Sequence, residues 1–143
     1  MLDTTDRKII RLLTEDSRMP ISKIAKRVSL SAPSVKERMV KLEANGVITG
    51  YTVSVNLSKL GRPLEAFVLF ETNNCRAFRE FCKTASIVLD FHRLAGRYSY
   101  LVHVAAIDMK ELETFVDSAL RYGNSSTHIV FSSYHLGTFV EPM

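Results

Sequence analysis

The chain has 143 residues, of which 46% are hydrophobic and 24% are charged, and its net charge is +4. This composition is typical of a soluble globular protein and excludes a disordered tail, a collagen-like fibre and a disulfide scaffold. The longest apolar run, at 101–107, is far shorter than the ~20 residues of a membrane-spanning helix. The opening residues lack the order of a signal peptide, and Cys75 and Cys82 have no CxxC spacing. We therefore expect a cytoplasmic protein that makes no membrane contact.

The charge is distributed unevenly along the chain. Residues 1–62 contain twelve basic and six acidic side chains, whereas residues 63–143 contain seven and nine. A basic half of this kind indicates a nucleic-acid partner, although basic residues can also serve only solubility.

Apolar residues recur at helical spacing in the first half of the chain and predict three short helices. Asp3 is the expected cap of the first helix, with Asp6 three residues later in an arrangement like a capping box. Pro33 suits the first turn of the third helix, and Gly46 suits its end. The predicted helices cover residues 4–15, residues 22–28, and a segment from residue 31 or 32 to residues 45–46.

The second half alternates β-branched and aromatic runs with two helical stretches, in the order β-α-β-β-α-β. This order predicts a ferredoxin-like, four-stranded antiparallel sheet with both helices on one face. A tight hairpin is expected at Gly96-Arg97. The predicted strands are 64–71, 87–95, 98–106 and 128–134, and the predicted helices are 75–85 and 109–122.

Three regions follow from these patterns. Residues 1–50 form a three-helix (winged) helix-turn-helix domain, residues 51–63 contain a strand at 51–55 followed by a linker, and residues 64–143 form the ferredoxin-like domain. The fold class is therefore α+β.

The sheet contains more apolar residues than two helices can cover, so we expect part of them to face outward and to support self-association. Val102 or Val104 is a candidate for this outward set. The apolar strand residues are Phe67, Leu69, Phe91, Tyr98, Tyr100, Val102, Val104, Ile129 and Phe131.

The helix–turn–helix pattern is the main functional signal. In DNA-binding proteins of this type the second helix of the motif lies in the major groove and its polar side chains contact base edges, while the preceding helix contacts phosphates. An alternative reading is a helical bundle with a charged surface. The candidate phosphate contacts are Lys23, Lys26 and Arg27, and the candidate groove residues are Ser31, Ser34, Lys36, Glu37, Arg38 and Lys41.

The same residues resemble the Lrp/AsnC family of transcription regulators. The matching segments are LDTTDRKIIRLLTEDSR, ISKIAKRVSLSAPSVKERMVKLEANGVITGYTVSVN and the later LG pair. They include the family's S-x-x-x-V-x-x-R recognition helix and its Leu-Glu-x-x-Gly-Val-Ile exit, and the second half matches the family's effector-binding domain. The resemblance implies a transcription regulator that binds double-stranded DNA and dimerises through its sheets. It also implies assembly to octamers and a response to an amino acid.

The family's hairpin commonly reads Gly-x-Tyr-Asp-Tyr, whereas this chain has Ser99 at the acidic position. An altered effector, or an ordinary hairpin without a ligand, are therefore both open. The candidate effector-binding residues are Gly96, Arg97, Tyr98, Ser99, Tyr100, Thr127 and Ser132.

The sequence carries no glycine-rich phosphate loop, no GxSxG and no HExxH, so we expect neither an enzyme nor a cofactor. The four histidines have no metal-ligand spacing, so we expect no metal site. Two alternatives to a sequence-specific regulator stay open: a small-molecule sensor or enzyme in which the sheet domain acts alone, and an architectural protein that wraps DNA with little sequence preference.

Overall fold

The structure, a computed structural model, describes residues 1–136. It divides into two compact units, centred on residues 1–54 and 55–133. The end of the segment assigned above to the second domain, residues 137–143, lies outside the described residues.

The first unit is built from three helices, close to those predicted. They are α1 (Thr4–Glu15), α2 (Ile21–Val28) and α3 (Ala32–Ala44). The predicted capping box of α1 is present, since Asp6 N–H donates to Asp3 at 2.7 Å and Asp3 N–H donates to Asp6 at 3.2 Å. The three helices bury a small shared core of Ile9, Leu13, Ile24, Ala25, Val35 and Leu42.

The turn between α2 and α3 depends on Ser29. This residue has φ 56° and ψ 44°, in the left-handed region that side chains rarely adopt. The reversal is closed by Leu30 N–H, which donates to the carbonyl of Ala25 at 3.0 Å. Ser29 thereby ends α2 at Val28, and α3 begins after a short turn, at Ala32.

The second unit is the predicted ferredoxin-like fold. The elements are β1 (Leu64–Thr72), α4 (Cys75–Thr84), β2 (Val88–Arg93), β3 (Tyr100–Ala106), α5 (Met109–Ala119), a 3₁₀ turn (Leu120–Tyr122) and β4 (Gly123–Ile129). The antiparallel strands lie in the order β2-β3-β1-β4. Leu64 of β1 pairs with Ala106 of β3, and Ala66 of β1 pairs with Ile129 of β4.

Both helices pack on one face of the sheet, and Phe78 from α4 and Phe115 from α5 enter a shared aromatic core with Phe70. The prediction that Val102 or Val104 faces outward was wrong. Both side chains are fully buried on the helix side, because strand residues two apart share a face and Tyr100 begins that inward set.

The outward face of the sheet carries the alternate residues of β1 and β3, and most of them are partly exposed, whereas Ala105 is buried. Phe67 and Leu69 supply its apolar part from β1, and Leu101 supplies it from β3, directly opposite Leu69. The alternation of side chains leaves this set without a helix against it.

The strand predicted at residues 51–55 does not form. Tyr51, Val53 and Val55 alternate as a strand would, but the segment makes no backbone hydrogen bonds to other described residues. A strand requires a hydrogen-bonded neighbour, and alternation alone does not supply one.

The last strand was predicted too late, at 128–134. The observed β4 runs through polar residues from Gly123 to Ile129 and pairs with β1 as an edge strand. Gly123 starts it with φ 148°, and a Cβ at this position would lie 2.0 Å from the Glu71 carbonyl oxygen. Close backbone approach, and not β-propensity, sets where this strand begins.

The hairpin between β2 and β3 is longer than a two-residue turn. Residues 94–99 connect the strands, and Leu94 N–H closes the connection by donating to the Ser99 carbonyl at 2.8 Å. Ser99 N–H donates to the Phe70 carbonyl at 2.7 Å, so this residue joins β1 before β3 begins.

Arg62 anchors the start of the second unit. Its guanidinium donates to the carbonyl of Ala105 at 2.8 Å and lies 3.1 Å from the carboxylate of Glu111 on α5. The same carboxylate accepts the Ile107 N–H at 2.6 Å. This network fixes the chain where it enters β1.

Candidate nucleic-acid interface

The three basic side chains of α2 are exposed and available. Lys23, Lys26 and Arg27 are exposed beside buried Ile24 and Ala25, and none of their side chains makes a hydrogen bond or ion pair to a described residue. Three unpaired cations on one turn of helix form a site suited to the phosphates of a nucleic acid.

Ser31 and Ser34 organise the beginning of α3. Ser31 caps the helix by accepting the Ser34 N–H at 3.3 Å, and the two hydroxyls lie 2.8 Å apart. Ser31 is exposed and Ser34 is half-buried. Both predicted contact residues therefore lie at the helix N-terminus, where the backbone amides and the helix dipole favour an anion.

Arg38 was predicted to contact the nucleic acid, and the structure shows its guanidinium bound to two carboxylates of the first unit. Its Nη1 lies 2.6 Å from Asp3 Oδ2 and 2.7 Å from Asp6 Oδ1, the two residues of the α1 capping box. These carboxylates raise the pKa of Arg38. The hydrogen bond from the Asp6 N–H, together with Arg38, holds the pKa of Asp3 below its usual value.

The exposed side of α3 carries the remaining predicted residues. Glu37 and Lys41 form an ion pair at 2.7 Å, and the Lys41 ammonium lowers the pKa of Glu37. Lys36 is exposed and has no partner among the described residues. The helix therefore offers one unpaired cation, one ion pair and the capped N-terminus to a ligand.

Two family models match the chain, and together they cover most of it. The AsnC-type helix-turn-helix domain matches residues 2–43, and the Lrp/AsnC ligand binding domain matches residues 65–138. The chain belongs to the Lrp/AsnC family. The resemblance inferred from the sequence is confirmed, as is the α+β fold with its N-terminal helix-turn-helix.

Individual Lrp/AsnC relatives extend this match. The chain is 36% identical over 132 residues to the uncharacterized HTH-type transcriptional regulator YezC of Bacillus subtilis, covering 92% of this chain and 95% of that protein. It is 33% identical over 121 residues to the DNA-binding transcriptional activator DecR of Escherichia coli, covering 80% and 79%.

A solved relative shares the whole architecture. The structure of B. subtilis LrpC superposes with a TM-score of 0.89 at 31% identity, covering 95% of this chain and 99% of that one. The protein is thus a DNA-binding transcription regulator with a ligand-binding domain, and its relatives are regulators, not enzymes.

Two absences hold for residues 1–136. They contain no group of three or more His, Cys, Asp or Glu side chains placed to hold a metal ion. Among the same residues, no helix has both the length and the hydropathy of a membrane-spanning segment.

In the Lrp/AsnC ligand-binding domain, Ser99 is engaged by the backbone. Its hydroxyl donates to the Thr72 carbonyl and accepts the Thr72 N–H, each at 3.2 Å. Both atoms belong to the end of β1. Ser99 therefore ties the hairpin to the sheet.

The other predicted effector residues are not all brought together. Gly96, Arg97, Tyr98 and Ser99 share the hairpin, and Arg97 packs over the Tyr98 ring at 5.3 Å while its Nε lies 3.9 Å from Glu71. The remaining three positions lie elsewhere. Tyr100 is 1% exposed in the helix-side core. Thr127 lies on β4, where it pairs with Val68 of β1, and Ser132 follows the end of β4.

A polar cluster interrupts the apolar outward face of the sheet. The His103 ring stacks on Phe67 with centroids 4.5 Å apart, and its Nε2 lies 2.7 Å from Glu65 Oε1. The Nδ1 atom lies 3.3 Å from Asp90 Oδ2, on the neighbouring strand. This cluster orients charged groups beside the apolar residues of the same face.

The sequence patterns did not predict the interactions of Asp3 and Asp6 with Arg38. The capping box was visible in the sequence, but a capping box uses backbone amides and does not predict a third, distant partner. No short-range pattern links residues more than thirty positions apart, and the contact follows from how α1 and α3 pack.

Proposed function

We propose that α3 enters the major groove of double-stranded DNA while Lys23, Lys26 and Arg27 of α2 contact phosphates. The exposed and unpaired state of these three cations supports this assignment. In this arrangement Ser31, at the N-terminus of α3, approaches the DNA first.

The remaining predicted residues take different roles. Lys36 contacts a base edge or phosphate, and Ser34 and the Glu37–Lys41 pair supply hydroxyl, carboxylate and ammonium groups to the groove. Arg38 instead positions the helix, because two carboxylates of the same unit already occupy its guanidinium. A residue that braces α3 affects the affinity for all DNA sequences alike.

The outward face of the sheet forms a homodimer interface in this proposal. Phe67, Leu69 and Leu101 supply apolar surface there, and burial of such surface is worth roughly 25 cal/mol for each square ångström. A two-fold dimer presents two recognition helices to half-sites about 34 Å apart or a multiple of it. Assembly of dimers to octamers, implied by the family, is the further step.

An amino-acid effector is the proposed ligand of the second domain. A transcriptional regulator of Neisseria meningitidis that is 25% identical to this chain was solved in complex with L-Met, with a TM-score of 0.86 over 99% of this chain and 97% of that one. In this chain Glu71, which lies beside Arg97, supplies a carboxylate next to the hairpin in place of the one that Ser99 lacks.

The experiment that tests the regulatory role is a mobility-shift titration with the DNA upstream of the protein's own gene. We expect a shift that survives excess bulk genomic DNA, since a sequence-reading regulator binds its site more tightly than random sequence. Equal competition by genomic DNA supports the architectural alternative instead. Such a regulator acts in the cytoplasm, where bacterial and archaeal chromosomes lie.

Light scattering with and without each amino acid tests the assembly and the ligand together. The proposal expects a mass of a dimer or a multiple of it, and a change in mass or DNA affinity with one amino acid. A monomer that binds DNA normally contradicts the dimer, and indifference to all amino acids contradicts the effector.

A further inference from the structure

The outward face of α3 carries a stripe with three apolar side chains that the first unit does not bury. The stripe follows the helical repeat at positions i, i+4, i+7 and i+11, and all of its members are exposed. Val40 is its largest aliphatic side chain, is 55% exposed, and lies about 140° around the helix from buried Val35. The apolar members of the stripe are Pro33, Val40 and Ala44, and the charged Glu37 occupies the position i+4 among them.

The charged side chains next to Val40 leave it exposed to solvent. Glu37 is drawn to Lys41 by the 2.7 Å ion pair, and Lys36, one turn before Val40, has no partner among the described residues. Val40 is thus an exposed aliphatic group that has the ammonium groups of Lys36 and Lys41 and the carboxylates of Glu37 and Glu43 as neighbours on the helix. The matching surface is one that presents an apolar group to Val40 and an anionic group to the unpaired Lys36.

We propose that Val40 contacts the C5-methyl group of a thymine and so helps to determine which sequences the protein binds. This inference rests on the proposed placement of α3 in the major groove. In the major groove, thymine exposes a methyl group that an aliphatic side chain can contact. The other bases expose hydrogen-bonding atoms there, which an aliphatic side chain cannot use. The phosphates on both sides of the groove complement Lys36 and Lys41.

A second copy of the chain fits this stripe less well than DNA does. A two-fold contact between two copies of α3 places equivalent surfaces together. The unpaired Lys36 of one copy then lies on the same interface as Lys36 of the other, and like charges across an interface oppose association.

The test uses DNA selected by the full-length protein from a random pool. Each thymine of the selected site is replaced in turn by deoxyuridine, which removes the methyl group and keeps every hydrogen-bonding atom. We expect one thymine in each half-site at which this change weakens binding about fourfold, equivalent to ~0.8 kcal/mol for one buried methyl group.

The variant Val40→Ala isolates the side chain. Because Val40 is exposed and alanine favours helix, this variant folds. It binds the thymine site about as weakly as the wild type binds the deoxyuridine site, and it does not distinguish the two bases. Leu120→Ala, which removes an exposed aliphatic side chain outside the first unit, retains the full sensitivity to the methyl group.

Four results overturn the inference in distinguishable ways. Wild-type protein that tolerates deoxyuridine at every position has no thymine contact. A Val40→Ala variant that keeps the same methyl sensitivity places that contact on another residue, and one that changes only the solution mass makes the stripe a contact between copies. If the full-length protein selects no DNA at all, the proposed function fails with it.

Discussion

The Arg38 guanidinium lies 2.6 Å from the Asp3 carboxylate, so the helix that we place in the DNA groove is tied to the first cap of the chain. Asp6 completes the arrangement at 2.7 Å. The orientation of α3 therefore depends on the two carboxylates of the α1 capping box. A charge-assisted bond to two carboxylates also leaves this arginine poorly suited to read a guanine.

We expect Arg38→Ala to lower the melting temperature and to weaken binding to specific and random DNA by the same factor. The Asp3→Asn/Asp6→Asn double variant lowers the melting temperature in the same way, and the triple variant adds little more, since all three remove one network. Thermal unfolding and mobility shifts measure these effects. A selective loss of specific binding in Arg38→Ala returns the base-reading role to this residue.

The capping network predicts a pH dependence of stability. The pKa of Asp3 in the folded protein is held below 3.8, so its contribution is fully present above that pH and is lost as the pH falls through the folded-state value. Asp3→Asn keeps the cap acceptor but removes the charge. We expect this variant to be less stable than the wild type at neutral pH and equally stable well below pH 3.8. A difference that does not change with pH contradicts the ion-pair account.

Helix starts were predictable from the sequence because capping is local. Asp3 and Ser31 each accept a backbone N–H within three residues, and Asp108 does the same for α5. The last strand was not predictable in this way. Its polar segment pairs with β1 where Gly123 permits close approach, and this long-range contact leaves no mark in local propensity.

The candidate site likewise has features that local sequence patterns predict and features that depend on long-range packing. The exposed cations of α2 follow from helical periodicity, so Lys23, Lys26 and Arg27 were identified correctly as surface residues. The ion pair between Arg38 and Asp3 depends on the packing of two helices. The burial of Val102 depends on which face of the sheet the helices pack against. Alternation predicts two faces but does not say which one is covered.

The start of β4 gives a prediction about stability. Gly123→Ala places a Cβ 2.0 Å from the Glu71 oxygen and forces an unfavourable φ, so we expect a loss of at least about 2 kcal/mol in the free energy of unfolding. Gly46→Ala is the matched control. Its φ is 68° and nothing lies within 4 Å of the added Cβ, so only the left-handed strain of about 1–2 kcal/mol applies. Equal losses from the two variants, in urea unfolding, contradict the close approach.

The proposed dimer interface predicts opposite outcomes for adjacent residues of β3. Leu101→Glu places a carboxylate on the outward face, and we expect a folded monomer. Burying an unpaired charge in the interface costs several kcal/mol, which is on the order of the association free energy of a modest interface. Val102→Glu places the same group in the helix-side core, where Val102 is fully buried, and we expect an unfolded chain. Light scattering and circular dichroism distinguish the two results.

Leu120→Glu is the control for that pair, since Leu120 is exposed on the 3₁₀ turn. This variant stays folded and keeps the wild-type mass. A folded Leu101→Glu variant that is still dimeric removes the sheet face from the assembly.

The salt dependence of DNA affinity tests the central claim most directly. We would measure the slope of log affinity against log salt for the wild type and for Lys23→Ala/Lys26→Ala/Arg27→Ala, with Lys83→Ala/Lys110→Ala/Arg121→Ala as a control of equal charge change in the second unit. The account predicts a slope that is flatter by about 0.9 for each phosphate that the α2 variant no longer neutralises, and no change in the control. An unchanged slope in the α2 variant would contradict the assignment of this helix-turn-helix surface to DNA.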